Sequence, residues 1–168
     1  HDSLTGLPNR QMFKERLVQE VARASRKGDI VAVMMLDLDG FKAVNDNWGH
    51  EAGDAALCEV AHRLKDICRE SDVVSRLGGD EFTLLLTDIT NPRDAGLFAE
   101  RVIHTLAAPI TVEGEHFPLT PSIGISIFPL LGMNPVELMK QADKAMYLAK
   151  SQGRNRYRVY SEQECATR

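Results

Sequence analysis

The sequence lacks an apolar segment long enough to cross a lipid bilayer. Its longest uninterrupted apolar run covers residues 30–36, whereas a membrane-spanning helix needs about 20 apolar residues. The N-terminus also lacks the basic and apolar regions of a signal peptide. Because the chain opens on His1 rather than Met, we expect a domain cut from a longer protein. We expect the domain itself to be cytoplasmic and outside the membrane, whatever anchor its parent carries.

Cysteine is scarce, and positive charge is not in excess. Cys58, Cys68 and Cys165 are odd in number and widely spaced, which argues against a disulfide framework or a zinc site and fits a reducing compartment. The 20 Lys and Arg residues against 24 Asp and Glu give a net charge of −4. No basic field would attract nucleic acid, so we expect no such partner.

The pattern of apolar residues predicts one domain over residues 1–160 and a frayed tail over residues 161–168. The predicted helices cover residues 11–26, 41–47, 51–70, 91–108 and 135–151, the last with Gly153 as its C-cap. The predicted strands cover residues 30–38, 76–77, 82–86, 110–112, 116–119, 122–128 and 156–160. This order predicts a layered α/β (α+β) fold with a partly antiparallel sheet.

The most informative segment is the Gly-Gly-Asp-Glu sequence at residues 78–81. Because β-formers flank it, we interpret it as the tip of a hairpin. Gly78 and Gly79 allow a backbone to lie close to a ligand. Asp80 and Glu81 repel each other unless a cation or a proton neutralises them. The combination indicates a nucleotide phosphate held through Mg²⁺, although a solvated acidic turn is a purely structural alternative.

A second pair of acids, Asp37 and Asp39, closes the first predicted strand. Since side chains alternate along a strand, both carboxylates are expected on the same face. Acids at the end of a buried strand are costly unless they are paired or bind a metal. With Asp80 and Glu81 they make four carboxylates available to a hard cation, but the pair alone fits a solvated strand end equally well.

Amide, acid and basic groups complete the candidate site. Asn45 and Asp54 are able to read the edge of guanine, although both also suit turns and helix caps. Lys150 and Arg154 stand one helical turn apart and are expected to share a face, where they would clamp a triphosphate. The structural alternative for these two is a pair of cations that complements a helix C-terminus.

Taken together, these segments resemble the diguanylate cyclase family, named for its GGDEF signature. The resemblance runs nearly the whole chain. It rests on residues 2–10, Asp37-Leu38-Asp39, Phe41-Lys42, Asn45-Asp46, Gly49-His50, Gly53-Asp54, residues 78–82, residues 142–150 and Gly153-Arg154-Asn155.

The resemblance implies a fold and a reaction. The fold would be a five-stranded central sheet flanked by helices, similar to the palm of class III nucleotide cyclases, with a small extra β-hairpin. Two GTP molecules would condense into cyclic di-GMP with release of two pyrophosphates, in the presence of Mg²⁺ or Mn²⁺. Because each domain would bind one GTP, catalysis would require a homodimer.

The resemblance also implies residue roles. Asp37, Asp80 and the backbone carbonyl of Leu38 would hold the metal, with Asp80 as general base and Glu81 assisting it. The remaining roles would be guanine recognition by Asn45 and Asp54, room for the nucleotide at Gly78 and Gly79, phosphate binding by Lys150 and Arg154, and phosphate binding with transition-state stabilisation by Lys42.

One further motif, the Arg-x-x-Asp sequence at residues 69–72, has the spacing of the family's inhibitory product site. Arg69 and Asp72 would there bind cyclic di-GMP, assisted by Arg76, whereas the bland alternative is an exposed ion pair worth at most about 1 kcal/mol. A second hypothesis for the whole domain is a non-catalytic module that binds GTP or cyclic di-GMP. The intact Lys42 and acidic residues favour the enzyme.

Overall fold

A five-stranded sheet forms the centre of the computed structural model, which describes residues 1–130 and 134–165. Its strands are β1 (Ile30–Asp39), β2 (Val73–Gly78), β3 (Glu81–Ile89), β6 (Thr120–Phe128) and β7 (Arg156–Val159). They lie in the order β2-β3-β1-β6-β7, and only the β6–β7 pair is parallel. The predicted five-stranded, partly antiparallel sheet is confirmed.

Helices cover both faces of the sheet. The helices are α1 (Arg10–Lys27), α2 (Phe41–Trp48), α3 (His50–Ile67), α4 (Arg93–Ala107), α5 (Pro135–Ser151) and the short α6 (Glu162–Cys165). The predicted small hairpin is also present, as β4 (Ile110–Val112) and β5 (Glu115–Phe117). Within the described residues, none of the helices has the length and apolarity needed to span a bilayer.

Alternation along β1 divides the apolar core in two. Val31, Val33 and Met35 pack with residues of α1 and α5, while Ala32 and Met34 belong to the larger core with α2, α3 and α4. Because the period is two, the next odd-numbered residues of β1 continue the row that faces α1 and α5. The fold therefore directs the two acids at the end of β1 toward the helices that carry basic residues.

Most predicted elements begin or end within about three residues of the observed bounds, and the C-terminal ends of α3, α5 and the chain differ for identifiable reasons. The helix predicted to reach residue 70 ends at Ile67, because the Asp72 carboxylate accepts the Arg69 N–H at 2.9 Å and shapes a turn there. The C-cap of α5 is Gln152 rather than Gly153. Part of the C-terminal tail that was predicted to fray forms α6. The last three residues of this tail, 166–168, lie outside the described residues.

Gly124 allows α5 to lie directly against the sheet. It sits on β6 between Met35 of β1 and Arg158 of β7. A Cβ at this position would overlap the carbonyl oxygen of Ala142 and the backbone nitrogen of Met146, both in α5. The absent side chain thus sets the distance between the sheet and the helix that ends near the acidic pair.

We predict that Gly124→Ala lowers the free energy of unfolding by about 3 kcal/mol, because a methyl group has to push the α5 backbone off β6. Urea denaturation measures the change. Ile125→Val on the same strand is the control, and its loss should be about 1 kcal/mol. A loss at Gly124 no larger than that of the control would contradict the close approach.

Candidate active site

The end of β1 and the tip of the β2–β3 hairpin lie side by side. Asp37 pairs with Glu81 in the antiparallel register of β1 and β3. One residue further on, the Leu38 N–H donates to the carbonyl oxygen of Asp80 at 3.3 Å. The carboxyl group of Asp37 is therefore near enough to affect the ionisation of Asp80. Strand pairing therefore brings together two acids that are 43 positions apart in the chain.

The proximity of these acids perturbs their ionisation. Burial, followed by the hydrogen bond and negative charge of Asp37, raises the pKa of Asp80 from 3.8 to about 6. Burial, with the charges of Asp37 and Asp143, also raises the pKa of Glu81, while Arg10 and Lys150 oppose that rise. A divalent cation between Asp37 and Asp80 would relieve this repulsion.

The donor groups at this site fit a hard cation whose coordination is completed by substrate. Asp37 is 7% exposed, and its Oδ1 is buried without a hydrogen-bond partner. Within the described part of the chain, no three His, Cys, Asp or Glu residues form a ready metal cluster. Mg²⁺ commonly takes only one or two carboxylates and fills its shell with phosphate oxygens and water. The carboxylates of Asp37 and Asp80 match that requirement, because one oxygen of Asp37 has no partner in the protein.

Basic groups reach the same place from α5. Lys150, in the last turn of the helix, forms an ion pair with Asp37 Oδ2. Arg154 lies beyond the end of α5 with a φ of 65°, so the expectation that a helical turn aligns it with Lys150 is wrong. It nevertheless lies near Lys150, because its Nε is 3.9 Å from Asp39, two residues after Asp37.

Asn45, one of the two residues expected to recognise guanine, lies where α2 packs against α3. Gly53, in the first turns of α3, has no Cβ, and one placed there would overlap the side-chain oxygen of Asn45. That oxygen is buried and lacks a hydrogen-bond partner. Asp54 follows Gly53 and is exposed. Lys42 is exposed on the first turn of α2, immediately after β1.

Arg76 braces the hairpin tip. Its guanidinium donates to the Gly79 carbonyl from Nε at 3.0 Å and from Nη2 at 2.8 Å, and its Nη1 pairs with Asp2 at 2.8 Å. Burial opposes ionisation of Asp2, but hydrogen bonds from Thr5 and the charge of Arg76 hold the pKa of its carboxyl below the usual range. Nothing in the sequence pattern predicted this brace.

Gly78 and Gly79 leave open space above the tip. Their φ values are 140° and 51°, and a Cβ at either position would meet nothing within 4 Å. A φ of 140° is a conformation that essentially requires glycine. The tip therefore combines a backbone that other residues do not readily adopt with room for a ligand.

The Arg-x-x-Asp segment lies at a separate place, between α3 and β2. The side chain of Arg69 is 58% exposed, whereas that of Asp72 is 2% exposed. Asp72 accepts the backbone N–H groups of Arg69 and Thr87 at 2.9 and 3.3 Å. Both residues line a cavity of about 610 Å³ toward α1 and another of about 280 Å³ toward α4. In this arrangement Asp72 shapes the turn and Arg69 offers the accessible charge.

We predict that Asp80→Asn stabilises the domain in cation-free buffer at pH 7.5. Because the folded-state pKa of Asp80 lies above its ordinary value of 3.8, its ionisation opposes folding above about pH 6. Removing that charge should raise the free energy of unfolding by about 1 kcal/mol, after allowance for solvent screening at this half-exposed group.

The gain should shrink as the pH falls from 6 to 4, where the native carboxyl is protonated. Urea denaturation across this range, with chelator present, tests the expectation. Asp66→Asn, at an exposed position on α3, controls for a general charge effect. Destabilisation by Asp80→Asn at pH 7.5 would contradict the repulsion between Asp37 and Asp80.

Comparison with known proteins identifies one family whose match includes all the residues of the candidate site. The family described as "Diguanylate cyclase, GGDEF domain" matches residues 1–156. The bifunctional diguanylate cyclase/cyclic di-GMP phosphodiesterase MucR of Pseudomonas aeruginosa is 46% identical over 157 residues, which are 94% of this chain and 23% of MucR. The chain therefore spans about a quarter of that relative.

Solved structures show the same fold. The GGDEF domain of TpbB from Pseudomonas aeruginosa superposes with a TM-score of 0.97 at 40% identity, covering 99% of this chain and 98% of that one. The GGDEF domain of DgcB from Caulobacter crescentus, in complex with c-di-GMP, gives a TM-score of 0.88 at 28% identity and 94% coverage of both chains. The chain belongs to the diguanylate cyclase GGDEF domain family.

Proposed function

We propose that this chain condenses two GTP molecules into cyclic di-GMP and two pyrophosphates, with Mg²⁺ or Mn²⁺ as cofactor. The observation that carries the proposal is the adjacent pair Asp37 and Asp80. One buried oxygen of Asp37 has no hydrogen-bond partner, and the pKa of Asp80 is raised. Family membership and the named activity of MucR support the same reaction. The expected setting is the cytoplasm.

The carboxylates of Asp37 and Asp80, with the carbonyl oxygen of Leu38, would hold the cation. When bound, the cation supplies charge neutralisation for the phosphates and lowers the pKa of the attacking hydroxyl. Asp80 takes the proton of the 3′-hydroxyl as general base; its raised pKa belongs to the cation-free site, where nothing neutralises the charge of Asp37. Glu81, also with a raised pKa, assists.

The remaining groups bind and orient GTP. Asn45 and Asp54 read the guanine edge, and the orphaned oxygen of Asn45 is available to accept from a base N–H. The positive charges of Lys42, Lys150 and Arg154 hold the triphosphate, and Lys42 also stabilises charge that develops on the leaving pyrophosphate. Gly78 and Gly79 leave the space in which the nucleotide lies.

Each domain places one GTP, so the reaction needs a homodimer with the two sites facing each other. Cyclic di-GMP would inhibit at a second place, where the exposed Arg69 borders both cavities and Asp72 orients it. The c-di-GMP complex of DgcB supports binding of the product by a domain of this fold. Arg76, only 13% exposed and committed to Gly79 and Asp2, would assist indirectly.

A non-catalytic module that binds GTP or cyclic di-GMP is the second candidate. The accessible Arg69 favours binding of product whether or not turnover occurs. The two candidates differ in one result: incubation of a forced dimer with GTP and Mg²⁺ yields cyclic di-GMP only if the chain is an enzyme.

We predict that Asp80→Ala lowers kcat about 10³-fold or more while the far-UV circular dichroism spectrum is unchanged, because the variant loses a cation ligand and the base together. Chromatographic detection of cyclic di-GMP measures the rate. The specific activity of the unmodified chain should rise with protein concentration as dimers form. Asp66→Ala is the matched control, and comparable rates for Asp80→Ala and this control would remove Asp80 from the mechanism.

We predict that Arg69→Ala relieves product inhibition without changing the initial rate, because the charge that binds product lies outside the acidic pair. Initial rates with added cyclic di-GMP measure the effect, and the inhibition constant should rise at least about tenfold. Arg26→Ala, an exposed cation on α1, is the control. Unchanged inhibition in Arg69→Ala would mean that this motif is not the inhibitory site.

A further inference from the structure

The carboxylate of Asp39 is bound within the protein and does not join the pair formed by Asp37 and Asp80. Thr120 Oγ1 donates to its Oδ2 at 2.7 Å, and Ser122 Oγ donates to its Oδ1 at 2.8 Å. Both hydroxyls belong to β6, in which Thr120 is the direct partner of Asp39. The Asp39 side chain is 7% exposed. It is therefore a buried charge whose oxygens are already satisfied.

The same carboxylate reaches across β6 to the turn that precedes β7. The backbone N–H of Asn155 donates to Asp39 Oδ2 at 3.1 Å. Residues 153–155 of this turn all have positive φ, at 120°, 65° and 47°, and only the first is glycine. Left-handed backbone at residues other than glycine persists only where the surroundings impose it.

Other hydrogen bonds join this turn to the two elements that flank it, α5 and β7. The Arg154 N–H donates to the carbonyl oxygen of Ala149 at 3.0 Å, and Arg156 Nε donates to the Arg154 carbonyl at 3.0 Å. The bond from Asn155 to Asp39 instead ties the turn to β1, the strand that carries Asp37. One strand end thus anchors both the cation ligand and the turn.

The charge of Asp39 also attracts the side chain of Arg154. Its Nε lies 3.9 Å from Asp39 Oδ1, while its side chain is 61% exposed. The carboxylate therefore attracts one edge of the guanidinium and leaves most of the group accessible to an anion. A phosphate that approaches the acidic site would meet a guanidinium that Asp39 draws toward the end of β1.

We propose that Asp39 is a positioning residue for GTP binding, which holds the Gly153-Arg154-Asn155 turn so that Arg154 faces the triphosphate. The inference rests on the proposed function, because it needs GTP as the ligand. It gives the two acids of Asp37-Leu38-Asp39 different tasks: the first serves the cation, and the second serves the turn that holds phosphate.

The test combines Asp39→Ala, Arg154→Ala and the double variant in binding titrations with a non-hydrolysable GTP analogue and in steady-state kinetics. Each single change should weaken analogue binding and raise KM by about tenfold, with a smaller effect on kcat. Because both changes remove the same contact, the double variant should bind no more weakly than Arg154→Ala alone. Asp39→Asn, which keeps one acceptor oxygen, should restore part of the affinity.

A second measurement tests the anchor without nucleotide. Hydrogen exchange of the Asn155 amide, followed by NMR, should become at least about tenfold faster in Asp39→Ala. The Gln152 amide, which donates to Leu148 within α5, serves as the internal reference and should not change. If Asp39→Ala does not fold, Asp39→Asn takes its place in both experiments, with smaller expected changes because one acceptor oxygen remains.

The outcomes separate two kinds of failure. Unchanged exchange at Asn155, or losses of affinity that add fully in the double variant, would overturn the role of Asp39 while GTP binding by the unmodified chain still stands. Failure of the unmodified chain to bind the GTP analogue would overturn the proposed function, and the inference with it. Asp66→Asn controls both experiments and should match the unmodified chain.

Discussion

The repulsion between two carboxylates, brought together by strand pairing, is the constraint on which the candidate site depends. Asp37 and Asp80 cannot both ionise cheaply when they share a half-buried place, and the raised pKa of Asp80 reports that cost. Lys150 compensates part of it through its ion pair with Asp37. A protein keeps such a destabilising pair where a cation or a proton is to be bound.

Strand pairing in the sheet places the groups of this site next to one another. β1 carries the acids at its end, β3 returns the hairpin tip to the same edge, and β6 supplies the hydroxyls that bind Asp39. Gly124 lets α5 lie close enough to the sheet for Lys150 to reach Asp37. Rigid strands therefore position the acids, while the turn after α5 and the helix pair α2–α3 position the remaining groups.

The central strands, the hairpin tip and the acidic motif were predictable from the sequence. The apolar run at residues 30–36 and the alternation on β6 identify central strands, and the Gly-Gly pair identifies the tip. The likeness between Asp37-Leu38-Asp39 and the family motif indicated where cation ligands are to be expected. Local patterns could not predict that Asp39 is hydrogen-bonded within the protein while Asp37 keeps an unpartnered oxygen. That difference depends on Thr120 and Ser122, which lie more than 80 positions from Asp39 in the chain.

Other features were beyond sequence reasoning for the same reason. The brace from Arg76 to Gly79 and Asp2 depends on pairing across 74 positions. The position of Arg154 was expected from helical spacing, yet it results from left-handed backbone beyond the end of α5. Hydrogen bonds between residues far apart in the chain produce no periodic sequence pattern. The sequence therefore predicts the candidate site residues better than it predicts the contacts that position them.

A crystal structure with Mn²⁺ and a non-hydrolysable GTP analogue tests the central claim most directly, because the anomalous signal locates the cation. The account predicts a peak at the carboxylates of Asp37 and Asp80, next to the bound triphosphate. A nucleotide bound without a cation between these carboxylates, or a peak located away from them, would contradict it.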